Sequence, residues 1–327
     1  MQTRTLGKTG VRVSVIGLGA WQIGGAWGAV PDDDARAVLH ATVESGVNLI
    51  DTADVYGDGR SERFIGELLA GPDGAGLFVA TKMGRRVEQR PEIYQRDNFR
   101  AWLDRSRRNL GVDTIDLVQL HCPPTPVYHD DTVFAALDEL VVDGTIRAYG
   151  VSVESCEQAL AAIGRPGVAS VQIILNCFRQ KPLDQVLPAA REAGVGIIAR
   201  VPLASGLLSG RFDENTSFAA DDHRAFNRHG EAFDVGETFA GVPYDVGLAA
   251  VRELAPLVPE PATMAQFALR WIIDQPGVTT VIPGARNPAQ ASANAAAAAL
   301  PPLSSDQLAG VREIYDRLIR PHVHDRW

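Results

Sequence analysis

Eight short apolar runs recur along this chain, and between successive runs lie longer segments whose apolar residues repeat with helical spacing. The runs cover residues 15–18, 49–51, 78–82, 117–121, 148–152, 171–176, 196–201 and 280–283. A strand that returns parallel to its predecessor needs a crossover of a dozen or more residues, usually a helix, so strict alternation predicts a parallel α/β sheet. Eight such units predict a (β/α)8 TIM barrel. Helical segments at 32–45, 61–69, 97–109, 131–142, 155–162 and 184–193 follow the first six runs. Two more, 246–257 and 262–274, follow the seventh, and 288–298 follows the eighth. Residues 304–318 form an additional C-terminal helix outside the count, and residues 2–15 read as an N-terminal β-hairpin turning at Gly7-Lys8-Thr9-Gly10. The one long stretch without periodicity is 208–242, and loops of such length usually have a function. No linker divides the chain, so residues 1–327 are expected to form one domain.

Charge and composition exclude several functions. The net charge of −9 comes with no Lys/Arg stripe, which removes the attraction that drives binding to a phosphate backbone. No apolar run approaches the roughly 20 residues of a membrane span, so a soluble, cytoplasmic protein is expected. Cys122, Cys156 and Cys177 are odd in number and lack metal-ligand spacing, so they read as inert, buried or half-buried thiols. His322 and His324 read as solvated residues near the end of the sequence rather than a metal pair. Asp32, Asp33 and Asp34 open the first helix, where carboxylates suit the positive end of the helix dipole.

In a parallel barrel the reacting groups gather at the C-terminal ends of the strands. Read side by side, those ends carry Asp51, Lys82, His121, Ser152, Asn176 and Arg200, with Tyr56 just beyond the second run and Arg286 beyond the eighth. Singly, each could be an ordinary polar strand end; together they suit proton delivery to a carbonyl oxygen as hydride reaches its carbon. Tyr56 can supply the proton. Its unperturbed pKa of about 10 is high, but an ammonium about 4 Å away is worth roughly 4 kcal/mol at an effective dielectric near 20, or up to about three pKa units before desolvation opposes it. Lys82 is placed to lower it. Asp51 then holds Lys82, and His121 orients the substrate oxygen.

The segments Asp51-Thr-Ala-Asp-Val-Tyr56-Gly, Ala80-Thr-Lys82-Met-Gly and Leu120-His121-Cys-Pro resemble the motifs that carry the catalytic tetrad of the aldo-keto reductases. Gly150-Val-Ser152, Val171-Gln172 with Asn176, Pro202-Leu203-Ala-Ser205-Gly206-Leu207-Leu208, and Ile282-Pro283-Gly284-Ala-Arg286 with Gln290 and Asn294 extend the resemblance over nearly the whole chain. It implies NADPH-dependent reduction of an aldehyde or ketone, with the catalytic set Asp51, Tyr56, Lys82 and His121. It also implies that Gly19, Ala20, Trp21, Ser152, Gln172 and Asn176 meet the nicotinamide, that Pro202, Leu203, Ser205, Gly206 and Leu207 line the pyrophosphate, and that Gly284, Arg286, Gln290 and Asn294 meet the adenosine end. Arg286 favours NADPH over NADH because a guanidinium can hold a 2′-phosphate through paired bonds. Gly17-Leu-Gly19-Ala-Trp-Gln22 begins like a dinucleotide fingerprint, but Gln22 replaces the third glycine, so a Rossmann fold is not supported.

The chain departs from that family's pattern at Arg200, which stands where many members stack an aromatic ring on the nicotinamide, and at Val153 and Ala293. A positive Arg200 over the ring is expected to disfavour the oxidised cofactor. The substrate pocket is expected from residues 21–27, 85–96, Tyr128 and the segment after Leu208. Two other functions fit the same residues: a regulatory NADPH sensor resembling potassium-channel β-subunits, and a barrel lyase using Lys82 as a Schiff-base nucleophile.

Overall fold

The computed structural model describes residues 1–25, 27, 28 and 30–327, so Ala26 of the expected pocket segment lies outside the described residues. Strands β1 (Thr3–Thr5) and β2 (Arg12–Ser14) form the antiparallel hairpin, with Thr3 opposite Ser14. Eight parallel strands follow: β3 (Leu18–Gly19), β4 (Leu49–Asp51), β5 (Phe78–Met83), β6 (Ile115–His121), β7 (Ile146–Ser152), β8 (Val168–Ile174), β9 (Gly196–Arg200) and β10 (Val278–Val281). Each pairs with the next in chain order. Single parallel pairings of Ile16 with Val281 and Gly19 with Gly284 bring the first and last strands together. The alternation read in the sequence is therefore the barrel itself.

Differences from the expected boundaries have local causes. The first run, 15–18, contributes only a two-residue strand, because β10 meets this stretch through separate contacts such as Gly17 N–H to Val281 O at 2.8 Å. Strand β8 begins three residues before 171 and ends before Asn176, whose side chain instead caps a turn by accepting from Phe178 N at 2.8 Å. The helix expected over 304–318 is regular over Ser305–Ile314, widens at Tyr315–Ile319 and resumes at Arg320–Val323. That path carries His324 inward, where its Nδ1 lies 2.8 Å from the Tyr315 hydroxyl, so the expectation of a solvated His324 is corrected; His322 is exposed.

The helices bury one stripe each. Asp131–Val142 packs Val133, Phe134, Ala136, Leu137 and Leu140 inward, the three-to-four spacing of an amphipathic helix. Reciprocal caps fix three helix starts, at Ser155 with Gln158, Thr263 with Gln266 and Ser304 with Gln307. Asp32, Asp33 and Asp34 do occupy a first helical turn, and Asp32 also accepts from Arg60 at 2.7 Å. Among the described residues no helix is long and apolar enough to cross a membrane. The three cysteines are free; Cys122 and Cys177 are buried, and burial pushes the Cys122 thiol up to about 12.

Two apolar regions hold the barrel. A large one fills the space between the sheet and the helices, and a smaller one fills the lower interior with Leu49, Phe78, Ala80, Leu117, Ile198 and Ile282, closed from below by Leu6 and Val13 of the hairpin region. The upper interior is polar. There the turn after β4 is fixed by Thr52 Oγ1 donating to Ser61 Oγ at 2.8 Å and Asp54 N donating to Lys82 O at 3.1 Å. Asp54 itself is buried, and its Oδ1 has no partner among the described residues. Burial first, then the nearby Glu62 carboxylate, push its pKa up to about 7.

Two outcomes follow from this packing. Leu6→Ala removes a fully buried plug from the barrel floor and is expected to cost about 2–5 kcal/mol in urea unfolding, with kcat of the folded fraction little changed. For Asp54 the raised folded pKa means that its contribution is fully present below about pH 4 and is lost as pH rises toward 7, at about 1.4 kcal/mol per unit in that window. Asp54→Asn should therefore unfold at a higher temperature than the wild type at pH 8, and that advantage should vanish near pH 4.

Candidate active site

The upper interior is organised around Lys82. Its ammonium donates to Asp51 Oδ1, to the Thr52 carbonyl at 2.8 Å and to the Tyr56 hydroxyl at 3.3 Å, and the side chain is fully enclosed. Burial works against the ammonium, but Asp51 and then Tyr56 outweigh it, so the lysine pKa lies above its ordinary value. The other Asp51 oxygen accepts from Gln119 Nε2 at 3.0 Å and Gln172 Nε2 at 2.8 Å. Every oxygen of the buried carboxylate is thus engaged, as a charge removed from water requires.

Tyr56 lies on top of this pair. Its ring stacks on Trp21, with centroids 6.0 Å apart and planes 16° from parallel, and meets His121 edge-on at 6.0 Å. Burial raises the Tyr56 pKa more than Lys82 lowers it, and Asp51 and Glu237 raise it further. The expectation of a lowered tyrosine pKa is corrected: burial outweighs the neighbouring ammonium, and the carboxylate paired with that ammonium offsets part of its effect. Tyr56 is a neutral acid at physiological pH.

His121 is buried and held neutral, first by desolvation and then by the cations Arg85, Lys82 and Arg200. Arg85 Nη1 approaches His121 Nε2 at 3.5 Å, the outer limit of a hydrogen bond. No described residue accepts from Nδ1.

Beside His121 two guanidiniums interleave with two carboxylates. Arg85 contacts Glu237 at 2.9 Å and Glu154 at 3.1 Å, while Arg200 contacts Glu154 at 2.8 Å and Glu237 at 3.5 Å. The two arginines hold the Glu237 carboxylate down at about 2 in spite of its burial. Arg200 therefore does not present an unbalanced charge. The oxygens of Glu154 and Glu237 converge with Cys122 Sγ, but both carboxylates are already taken by the arginines.

The residues implied for a nucleotide are distributed around the mouth. Gly19 ends β3 and Ala20 leads from it to Trp21, with Gly19 paired to Asp51 and Gly284 and Ala20 N donating to Asp51 O at 2.8 Å. Ser152 ends β7 opposite Gln172 of β8. Asn176 Nδ2 donates to Val201 O at 2.9 Å, and Ser205 Oγ donates to Glu237 O at 2.9 Å, so both side chains are occupied in holding backbone. Pro202, Leu203, Ser205, Gly206 and Leu207 form the turn after β9, in which Val201, Ala204, Ser205 and Gly206 all have positive φ, between +46 and +100. Across the mouth, Arg286 N donates to Gln290 Oε1 at 2.8 Å and Asn294 Nδ2 to Gly284 O at 3.1 Å. Among the described residues no carboxylate lies within ion-pair distance of the exposed Arg286 guanidinium, which leaves it open to an anion. Tyr128, expected in the pocket wall, is instead fully buried beneath the rim, donating to Ser152 O at 3.1 Å.

Sequence reasoning missed Gln119 and Glu154, and reached Arg85 and Glu237 only as members of the expected pocket segments 85–96 and after Leu208. Gln119 and Glu154 carried a signal, since one sits on the inward side of a predicted strand and the other just past a strand end. Glu237 carried none, because it lies deep in the aperiodic segment. That segment is well packed: Asn227 Oδ1 accepts from Ala232 N and Phe233 N, its Nδ2 reaches Thr238, and His223 and Phe233 pack against Trp21.

Comparison with known proteins agrees with this arrangement. The model of the aldo/keto reductase family matches residues 15–316. The aldo-keto reductase YhdN of Bacillus subtilis is 31% identical over 299 residues, covering 90% of this chain and 87% of the relative. The structure of glycerol dehydrogenase AKR11B4 from Gluconobacter oxydans superposes with a TM-score of 0.79 at 31% identity, covering 100% of this chain and 97% of the other. An aldo-keto reductase from Klebsiella pneumoniae solved in complex with NADPH gives a TM-score of 0.69 at 25% identity, covering 96% of each chain. With a family match over nearly its whole length and the full set Asp51, Tyr56, Lys82 and His121 at the barrel mouth, this chain belongs to the aldo/keto reductase family.

Proposed function

We propose that the protein reduces an aldehyde or ketone to an alcohol with NADPH, and that Tyr56 delivers the proton. The observation that carries this reading is the Tyr56 hydroxyl on the Lys82 ammonium at 3.3 Å, with Lys82 held in turn by Asp51. When bound, NADPH supplies hydride to the carbonyl carbon. The residues at the mouth fit such a dinucleotide: a tight turn after β9, built from left-handed residues, and an exposed guanidinium at Arg286 across the opening.

Two candidate acids face the carbonyl oxygen, and their surroundings separate them. His121 is kept neutral by burial and three cations, so it orients the oxygen rather than protonating it. Tyr56 retains its proton until charge develops on the oxygen, and Lys82 stabilises the phenolate left behind. Lys82 is itself kept protonated beside Asp51, which argues against the Schiff-base reading, since a nucleophilic amine must first lose its proton. Arg286 supports preference for the 2′-phosphorylated cofactor.

NADPH consumption should be measured with activated aldehydes, ketones and sugar-like carbonyls, repeated with NADH, and in reverse with glycerol and NADP+. Tyr56→Phe is expected to lower kcat at least about 100-fold while NADPH affinity stays within a few fold. Because His121 stays neutral well below its ordinary pKa, wild-type kcat should hold nearly constant from pH 8 down to pH 6. Tight NADPH binding without turnover on any carbonyl would replace the reductase with the regulatory sensor.

A further inference from the structure

Glu237 reaches the site from the far end of the segment after β9, and the backbone that presents it is strained. Phe239, Ala240 and Gly241 follow one another at φ +52, +59 and +78. Residues other than glycine persist there only where their surroundings over-determine them. Three contacts supply that constraint from the side facing away from the tetrad. The Trp327 indole N–H donates to both Asp234 oxygens, at 3.0 and 3.2 Å. Its ring lies 3.5 Å from the Arg179 guanidinium and fills the space beside Gly241, where a Cβ would come within 2.4 Å of the ring. Arg179 donates to Ala240 O at 3.1 Å.

Asp234 connects this contact to the site. Its Oδ1 also accepts from Gly236 N at 2.7 Å, capping the turn Val235–Glu237. From that turn the Glu237 side chain braces Arg85 and Arg200, and its carbonyl accepts from Ser205 Oγ, which in turn accepts from Phe239 N at 3.0 Å. Trp327 touches none of the tetrad. It touches the carboxylate that caps the turn through Gly236 N–H, and it packs against Gly241 directly after the strained residues Phe239 and Ala240.

We infer that Trp327 is a positioning residue: by holding residues 234–241 through Asp234 and Gly241, it keeps Glu237 between Arg85 and Arg200 and the segment closed on the Ser205 turn, and so slows dissociation of the nucleotide. The kinetic part rests on the cofactor reading above; the closure of the segment does not.

The test compares wild type, Trp327→Ala and Trp327→Phe. NADPH dissociation is followed by stopped-flow fluorescence, tryptic cleavage after Arg211, Arg224 and Arg228 is followed in the ligand-free protein, and Tm is measured for each. Trp327→Ala is expected to speed NADPH release at least about 10-fold and cleavage within 208–242 by a similar factor, while kcat/KM for the carbonyl falls by less than about 3-fold. Trp327→Phe keeps an aromatic ring beside Arg179 but loses both the bond to Asp234 and the outer indole edge that packs on Gly241, so it should recover only a small part of either effect. The proposal is overturned if both variants stay within 2-fold of wild type in release and cleavage. It is also overturned if Trp327→Ala opens cleavage sites throughout the barrel with a matching fall in Tm, since the residue would then act on the fold as a whole. A wild type that fails to bind NADPH would sink the cofactor reading, and the cleavage comparison would still decide the role of Trp327.

Discussion

The buried pair of Lys82 and Asp51 sets the terms for the upper half of the barrel. Moving either ion out of water costs several kcal/mol even after relaxation, and attraction between them offsets this only when the remaining polar atoms are satisfied too. Here that satisfaction comes from three strands or their ends: Thr52 O and the Tyr56 hydroxyl beyond β4, Gln119 on β6 and Gln172 on β8. The register that places Lys82 beside Gln119 and Ser152 beside Gln172 is therefore an electrostatic requirement as well as a hydrogen-bonding one. A slip of one residue would send these side chains to the helix-facing side of the sheet and away from the partners that satisfy them.

The same pair explains why the site carries a second ionic cluster. Lys82, Arg85 and Arg200 all lie close enough to His121 to disfavour its protonation. Three cations in one buried region need counter-charges, and Asp51, Glu154 and Glu237 supply them. The result is a mouth with dense charge but little net field, in which the imidazole is neutral and the phenol keeps its proton. Such a site contributes little to stability; its value is that the dipoles are fixed in place before the reacting oxygen acquires charge.

What could be read from the sequence follows from how local each signal was. Asp51, Lys82 and His121 sit at the ends of runs whose periodicity is visible, so their convergence at one end of a barrel followed from topology alone. The ionisation of Tyr56 did not, because the argument from Lys82 counted one neighbour, whereas the structure adds burial and the paired Asp51. Asn176 was legible as a strand-end polar residue and Ser205 only through the family resemblance, and neither as the backbone brace it is, since Val201 O and Glu237 O reach them only after folding. His324 turned out buried because the widened turn at Tyr315–Ile319 rotates it toward Tyr315, a change of helical phase with no mark in the residue pattern.

Strain shows the same division between the two ends of the molecule. Seven described residues other than glycine have positive φ: Asp58, Cys122, Val201, Ala204, Ser205, Phe239 and Ala240. All follow the C-terminal ends of β4, β6 or β9, and Val201 is β-branched, for which this conformation is a genuine outlier. At the opposite end Leu6 and Val13 close a dry apolar floor, and positive φ is confined to glycines such as Gly7 and Gly194. A closed apolar floor tolerates no irregular backbone, because unpaired polar groups there would have no partner. At the mouth, side chains such as Asn176, Ser205 and Arg179 can bond the stray carbonyls and amides, so there residues other than glycine are held at positive φ. The chemistry thus occupies the end of the barrel where side chains can hold a strained backbone in one shape.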